Sequence, residues 1–265
     1  MTIYAVKLPN RRLVNPDTVA SPVFVLADRH RRFSGPWHAH RRLQLLHVSD
    51  GVLFVETRVA RVVIPPQRAV WIPAGTEHRI ASRAPFWLTT CYIDANCFPE
   101  TKGNVVAVDR LTDAVLIAVS AFGENGPQNA PQRRLVAVLL DCLRGLKSAD
   151  IVLPQPSDPR LRRIAERLIE DPSASVSLPL LAAEVALSER TAARLFKKET
   201  GQSFGIWRSH LRMQAALEQL SAGLSVTEAA FAVGYQDVSS FIEAFKKLFG
   251  QTPSQILKGS EGSLR

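Results

Sequence analysis

The sequence predicts a chain of two domains: an all-β barrel or sandwich carrying a helical hairpin, then an all-α domain built from two helix-turn-helix units. Three observations carry that prediction. Between Trp37 and Asp94, short apolar runs alternate with Pro/Gly turns. From Leu111 onward the apolar spacing becomes helical. Near the C-terminus one segment recurs: Phe196-Lys197-Lys198 and Gly201 return as Phe245-Lys246-Lys247 and Gly250.

The bulk numbers agree. A length of 265 residues suits two domains, and 46% hydrophobic residues suffice for two cores. The opening M-T-I-Y-A-V-K-L-P-N-R-R has no apolar block of signal-peptide type. The longest apolar run, around Ala114 to Phe122, is too short to cross a bilayer, so no membrane partner is expected. Three cysteines, Cys91, Cys97 and Cys142, form an odd set without paired spacing, which points to reduced thiols in a cytoplasm. A net charge of +9 suits a polyanionic partner. Its location does not identify the binding half, because 14 basic and 12 acidic residues nearly balance from Asp158 onward.

Residues 1–35, with Arg11-Arg12, Arg29 and Arg31-Arg32, read as a solvated arm and first strand. Leu43–Ser49 and Val52–Thr57 read as strands meeting at Asp50-Gly51, a hairpin signal. Arg61–Ile64, Ala69–Ile72, His78–Ala81 and Phe86–Asp94 follow as further strands. Inside this region lie H-A-H-R-R-L-Q-L-L-H-V-S-D-G, from His38 to Gly51, and P-A-G-T-E-H, from Pro73 to His78. On an unbroken strand His38, His40, Arg42 and Gln44 share one side, and His47 faces the other.

The layout of these two stretches resembles the paired motifs of cupin barrels, with Gln44 where those carry Glu, and with Arg32 and Gln67 where they carry glycine. The resemblance implies a cupin-like barrel, with His38, His40, Gln44 and His78 among the effector-binding residues. Arg42 joins them by strand parity, either pairing with an anionic ligand or turning out to solvent. His38, His40, Gln44 and His78 can also hold a divalent transition metal. The alternatives are a polar lining that hydrogen-bonds an effector, and a satisfied histidine cluster in the core.

Leu111–Phe122 and Pro131–Lys147 read as helices. In the second, Leu135, Val138, Leu139, Cys142, Leu143 and Leu146 make one apolar stripe. Ser148 to Pro159 carries three prolines and no period, and reads as a linker. Asp158-Pro159 then opens a helix, Arg160–Glu170. The first helix-turn-helix comprises Leu178–Ala186 and the reading helix Glu189–Glu199. A bridge helix from Ser203 to Ala222 is expected to bury Ile206, Leu211, Ala215, Leu217 and Leu220. Its Arg208 and Arg212 are left to DNA backbone or solvent. Ser225-Val226-Thr227-Glu228 is a capping box opening the second unit, whose reading helix is Val238–Phe249 with Phe241, Phe245 and Leu248 inward.

The gapless stretch A-A-F-A-V-G-Y-Q-D-V-S-S-F-I-E-A-F-K-K-L-F-G-Q-T-P, from Ala229 to Pro253, resembles the AraC/XylS family of bacterial transcription regulators. The resemblance implies a cytoplasmic, sequence-specific DNA-binding regulator and not an enzyme. It implies an N-terminal effector-binding and dimerisation domain (1–147), a linker (148–159), a tandem helix-turn-helix domain (160–258) and a disordered tail (259–265). It further implies a homodimer seam on the helical hairpin, with RNA polymerase as partner if the protein is an activator. The DNA-binding residues are then Arg190, Thr191, Arg194, Lys197 and Lys198 in the first reading helix. The second supplies Ser239, Ser240, Glu243, Lys246 and Lys247. Arg190, Thr191 and Arg194 stand at major-groove spacing, while Lys197 and Lys198 suit phosphates. With Glu243 on its outer face, the second helix is expected to position more than read. The rival reading is a metal-dependent cupin enzyme, an isomerase or dioxygenase, fused to a DNA-binding module.

Overall fold

The computed structural model describes residues 14–98, 104–149 and 151–256. Arg11-Arg12 and the tail 259–265 lie outside the described residues. In chain order the first strands are β1 (Val23–His30), β2 (Phe33–Ser34), β3 (Leu43–Asp50), β4 (Leu53–Thr57), β5 (Ala60–Ile64), β6 (Arg68–Ile72), β7 (His78–Ser82), β8 (Phe86–Ile93) and β9 (Val105–Ala107). Helices α1 (Arg110–Ser120) and α2 (Ala130–Arg144) and the short strand β10 (Ser148–Ala149) follow. The chain divides into two compact units. The N-terminal one comprises all of these except most of β5, because Arg58–Val63 group with the C-terminal unit.

One antiparallel sheet of the N-terminal unit runs β1-β8-β3-β6-β9-β10, and a second contains β4-β7-β2. The period of two explains both faces of β3. Leu43 and Leu45 point to the side where Leu116, Val119, Leu139 and Leu143 of α1 and α2 close the core. Each such fully buried aliphatic side chain is worth about 1.5–3 kcal/mol. Gln44 and Leu46 point to the opposite face and line a pocket. With both faces covered, β3 is buried along most of its length.

One expectation needs correction here. Asp50-Gly51 does not close a hairpin: β3 pairs with β6 and β8, and β4 pairs with β7 in the other sheet. Both edges of β3 are already occupied, so the turn is a corner between sheets. Gly51, at φ 77°, fits there because a Cβ would lie 2.5 Å from the Pro85 carbonyl oxygen. The apolar stripe of α2 is also largely spent on its own core: Leu139 and Leu143 are buried, and Leu135 and Leu146 pack beside them. Val138 is exposed instead, as are Leu111 and Ile117 of α1.

In the C-terminal unit β11 (Val152–Pro154) pairs antiparallel with β5. Then come α3 (Pro159–Glu170), α4 (Leu178–Glu184), α5 (Glu189–Thr200), α6 (Phe204–Ser221), α7 (Val226–Ala232) and α8 (Val238–Phe249). Part of the stretch read as a proline-stiffened linker, 148–159, is therefore ordered as a strand. Leu153 is fully buried, Trp207 Nε1 donates to the Pro154 carbonyl at 2.8 Å, and Gln214 Nε2 donates to that of Ile151 at 2.8 Å. The Glu199 carboxylate accepts from the Ser157 and Asp158 backbone N–H groups at 2.7 and 2.9 Å, fixing the entry to α3.

Trp207, Phe196 and Phe204 are the centre of the first helical core, with Phe196 and Trp207 ring centroids 5.2 Å apart. In the second, Phe241, Phe245 and Phe249 succeed one another along α8, so Phe249 and not Leu248 is the third buried position. On α6 the expected Ile206 is exposed, and the neighbouring Trp207 turns inward in its place.

Candidate barrel pocket and nucleic-acid interface

The N-terminal pocket is built where β3, β7 and β8 meet. His38 and His78 face each other across an isolated antiparallel bridge, exchanging backbone hydrogen bonds of 2.9 and 2.8 Å. Their ring centroids are 4.3 Å apart, and the His40 ring stands 5.2 Å from His78. One ring nitrogen of each of the three lies within 4.8 Å of the others. Gln44 completes the group, its Oε1 3.2 Å from His40 Nε2. The structure thus brings together His38, His40, Gln44 and His78, as the motif spacing anticipates.

Each imidazole is fixed from behind. Nδ1 of His38, His40 and His78 lies 3.1, 2.8 and 2.9 Å from the carbonyl oxygens of Pro36, Arg42 and Thr76. A carbonyl only accepts, so each Nδ1 is the protonated nitrogen and each Nε2 keeps its lone pair. Burial lowers the pKa of all three rings, and that of His78 is pushed down to about 3, so they are neutral at physiological pH. His78 Nε2 is buried without a hydrogen-bond partner.

Arg42 leaves this group, contrary to expectation. Residues 41–42 bend before β3 begins, so parity does not carry across them. The Arg42 guanidinium donates to the carbonyls of Ser21 at 2.8 Å, Pro22 at 3.3 Å and Val19, and lies over the Phe24 ring. It is a buried strut rather than an anion receptor. His47 does face away, with Nε2 2.9 Å from Asp113 of α1.

Tyr92 and His30 also line the pocket, and motif spacing missed both. Tyr92 stands opposite Gln44 in the β3–β8 register, and its hydroxyl accepts from Gln44 Nε2 at 3.1 Å. Burial raises its phenol pKa, so it stays protonated. Leu26, Leu46, Ile80 and Leu88 supply the apolar wall. The arrangement offers a polar end and an apolar body, which suits a small amphipathic molecule.

In the C-terminal unit two helices present the expected DNA-binding residues. On α5, Arg190, Arg194, Lys197 and Lys198 are exposed and Thr191 is half-buried, while Phe196 and Ala192 pack inward. The Ser188 side chain caps the helix by accepting from Thr191 N, and Gly201 at φ 72° stops it. On α8, Ser239, Ser240, Glu243, Lys246 and Lys247 are exposed. Asp237 caps Ser240 N, and Gly250 at φ 76° ends the helix. The capping box of α7 is formed by Ser225 and Glu228.

Arg208 and Arg212 are half-buried and donate to backbone carbonyls of their own unit. Arg208 Nη1 donates to the Val176 carbonyl at 2.8 Å, and Arg212 Nε to that of Pro172 at 3.0 Å. They hold the α3–α4 loop against α6.

An AraC-like ligand-binding domain profile matches residues 21–109, and a helix-turn-helix domain profile matches residues 181–259. The HTH-type transcriptional regulator NimR of Escherichia coli K12 is 32% identical over 225 residues, spanning 84% of this chain and 82% of NimR. The HTH-type transcriptional regulator RipA of Corynebacterium glutamicum is 35% identical over 109 residues, 41% of this chain and 33% of RipA. Among solved structures, unsaturated fatty acid-bound ToxT from Vibrio cholerae is 12% identical with a TM-score of 0.40, covering 91% of this chain and 96% of that one.

Proposed function

Because the chain belongs to the AraC family of transcription regulators, we propose that its two reading helices grip adjacent major grooves of one operator while a small effector enters the barrel at His38, His40, Gln44, His78 and Tyr92. The reading rests above all on one observation: α5 and α8 each start on a side-chain cap, Ser188 or Asp237, end on a left-handed glycine, and expose polar faces from one helical unit joined by α6. Arg190 and Arg194 read base edges, Lys197, Lys198, Lys246 and Lys247 take phosphates, and Ser239, Ser240 and Glu243 make the lesser contacts.

An effector acts only by binding one arrangement of the protein more tightly than another. We assign the protein to the cytoplasm, consistent with no helix among the described residues being long and apolar enough to cross a membrane. A regulatory role is favoured over turnover because the relatives are transcription regulators. A homodimer is favoured by the exposed Leu111, Ile117 and Val138 on the helical hairpin. An activator of this kind would also meet RNA polymerase.

The test is a mobility-shift titration of the protein's own upstream region against random duplex at physiological salt. Selective retention is expected, with Arg190→Ala plus Arg194→Ala abolishing the preference. Equal affinity for both duplexes by a folded protein contradicts the reading. A thermal-shift screen of metabolites locates the effector, since a ligand of the native state raises Tm. Sedimentation at micromolar concentration tests the dimer, which a strictly monomeric species would rule out.

A further inference from the structure

The two helix-turn-helix units share α6, and a second tie joins them away from its axis. Trp207 and Leu211 of α6 belong to the core of the first unit, while Leu217 and Leu220 are buried farther along the same helix. One shared helix leaves each unit free to roll about that helix as its packing yields. A further contact off the axis removes that freedom. It is made by the α3–α4 loop, residues 171–177. The Asp171 carboxylate accepts from the Ser173 backbone N–H at 3.0 Å, and the Asp171 carbonyl from the Ala174 N–H at 3.2 Å, so the loop holds its own shape. Two arginines one turn apart on α6 then take its carbonyls. Arg208 Nη1 donates to Val176 at 2.8 Å. Arg212 donates through Nε to Pro172 at 3.0 Å and through Nη2 to Ala174 at 3.3 Å and Ser173 at 3.5 Å. On its other side the loop meets the turn of the second unit. A Cβ at Gly234 would lie 2.7 Å from the Ser173 carbonyl oxygen and 3.1 Å from Arg212 Nη2. The matching left-handed position of the first unit is Ala186, so the backbone angle alone does not demand glycine. The close approach of the loop does.

We propose that the α3–α4 loop, clamped by Arg212 and seated against Gly234, is a spacer that fixes the separation and pitch of α5 and α8, and so sets which spacing of two half-sites the protein accepts. The inference rests on the reading of α5 and α8 as gripping adjacent grooves of one operator. Arg212 is then a positioning residue that acts on DNA through the loop. A planar guanidinium fork can hold three successive carbonyls, whereas a lysine ammonium is a point charge on a flexible stem. The tie acts close to both reading helices: Val176 stands two residues before α4, and Gly234 three residues before the Asp237 cap of α8. One inserted base pair turns the second half-site by about 34° and moves it by about 3.4 Å. Joint engagement of two linked heads raises affinity by about 10²–10⁴-fold and is lost where the geometry forbids it.

The experiment measures mobility shifts of the full-length protein on its operator and on duplexes with one base pair inserted or removed between the half-sites, and compares the ratio of Kd values. For the native protein the altered spacings should bind about 10–100-fold more weakly. Arg212→Ala should bind the natural spacing about 10-fold more weakly, with the ratio falling to about 3-fold or less. Arg212→Lys should lie between the two. A smaller folded fraction lowers apparent affinity for every duplex by one factor and leaves the ratio unmoved, which separates positioning from general support of the fold. Should Arg212→Ala fail to fold, Arg212→Lys carries the same comparison. A folded variant with the native ratio overturns the spacer, as does a native ratio near one. Native protein that binds its operator no better than random duplex overturns the regulator reading itself, and the spacer with it.

Discussion

The two helix-turn-helix units share a frame and differ in what the frame displays. In both, an Ala carbonyl closes the turn, Ala182 accepting from Leu187 N at 2.9 Å and Ala230 from Tyr235 N at 3.0 Å. Both reading helices begin on a side-chain cap and end on a left-handed glycine. Yet α5 exposes two arginines and two lysines, with Glu189 in its first turn, whereas α8 exposes two serines, a mid-helix glutamate and two lysines. The turns differ as well. The left-handed position is Ala186, φ 56°, in the first unit and Gly234, φ 82°, in the second. Gln236 adds one residue before the second cap. Conserved mechanics with unlike outer faces means that fold stability and base reading are set by different residues and can be changed separately.

The largest effects should fall on the shared frame. Phe196→Ala and Phe245→Ala each remove a fully buried ring and should cost about 3–5 kcal/mol, measured by thermal or urea unfolding. Similar losses sharpen the equivalence of the units. A near-silent Phe245→Ala would break it.

Next come the faces. Arg190→Ala or Arg194→Ala should cost about 1–3 kcal/mol of operator affinity with relaxed preference at one base pair. Lys246→Ala should weaken every sequence alike and lower the salt slope by about 1. Titrations at several salt concentrations separate the two behaviours, and neither should move Tm appreciably.

The turns follow. Gly234→Ala should destabilise by about 1–2 kcal/mol from its backbone conformation alone. The added Cβ would also meet the Ser173 carbonyl oxygen at 2.7 Å, so the loss is larger still. Ala186→Gly, the reciprocal change, should raise stability by about 0.5 kcal/mol, the strain relieved less the entropy lost. A matched pair of Tm values decides whether the two turns are equally strained.

What the sequence made legible was local. The caps Ser188, Asp237 and Ser225 act within four residues of themselves, so their spacing already contains their chemistry. The histidine cluster was legible because motif spacing carries the register of two strands. Arg42, Arg208 and Arg212 were not, since their partners are carbonyls 20 to 40 residues away. Tyr92 needed the β3–β8 register, which no short pattern reveals. The segment before α3 looked like a linker because β11 is three residues long and ends on proline, and only its partners make it a strand. Gln67 is the reverse case: it stands where the cupin motif has glycine and still adopts φ 61°.

The most direct test of unequal reading on equal frames is a single-base-pair substitution scan of the operator at fixed salt, with Arg194→Ala used to assign the half-site under α5. The account predicts that substitutions in that half-site cost about 1–3 kcal/mol each at the contacted positions, while those under α8 cost clearly less. A scan in which the α8 half-site carries the stricter base preference contradicts it.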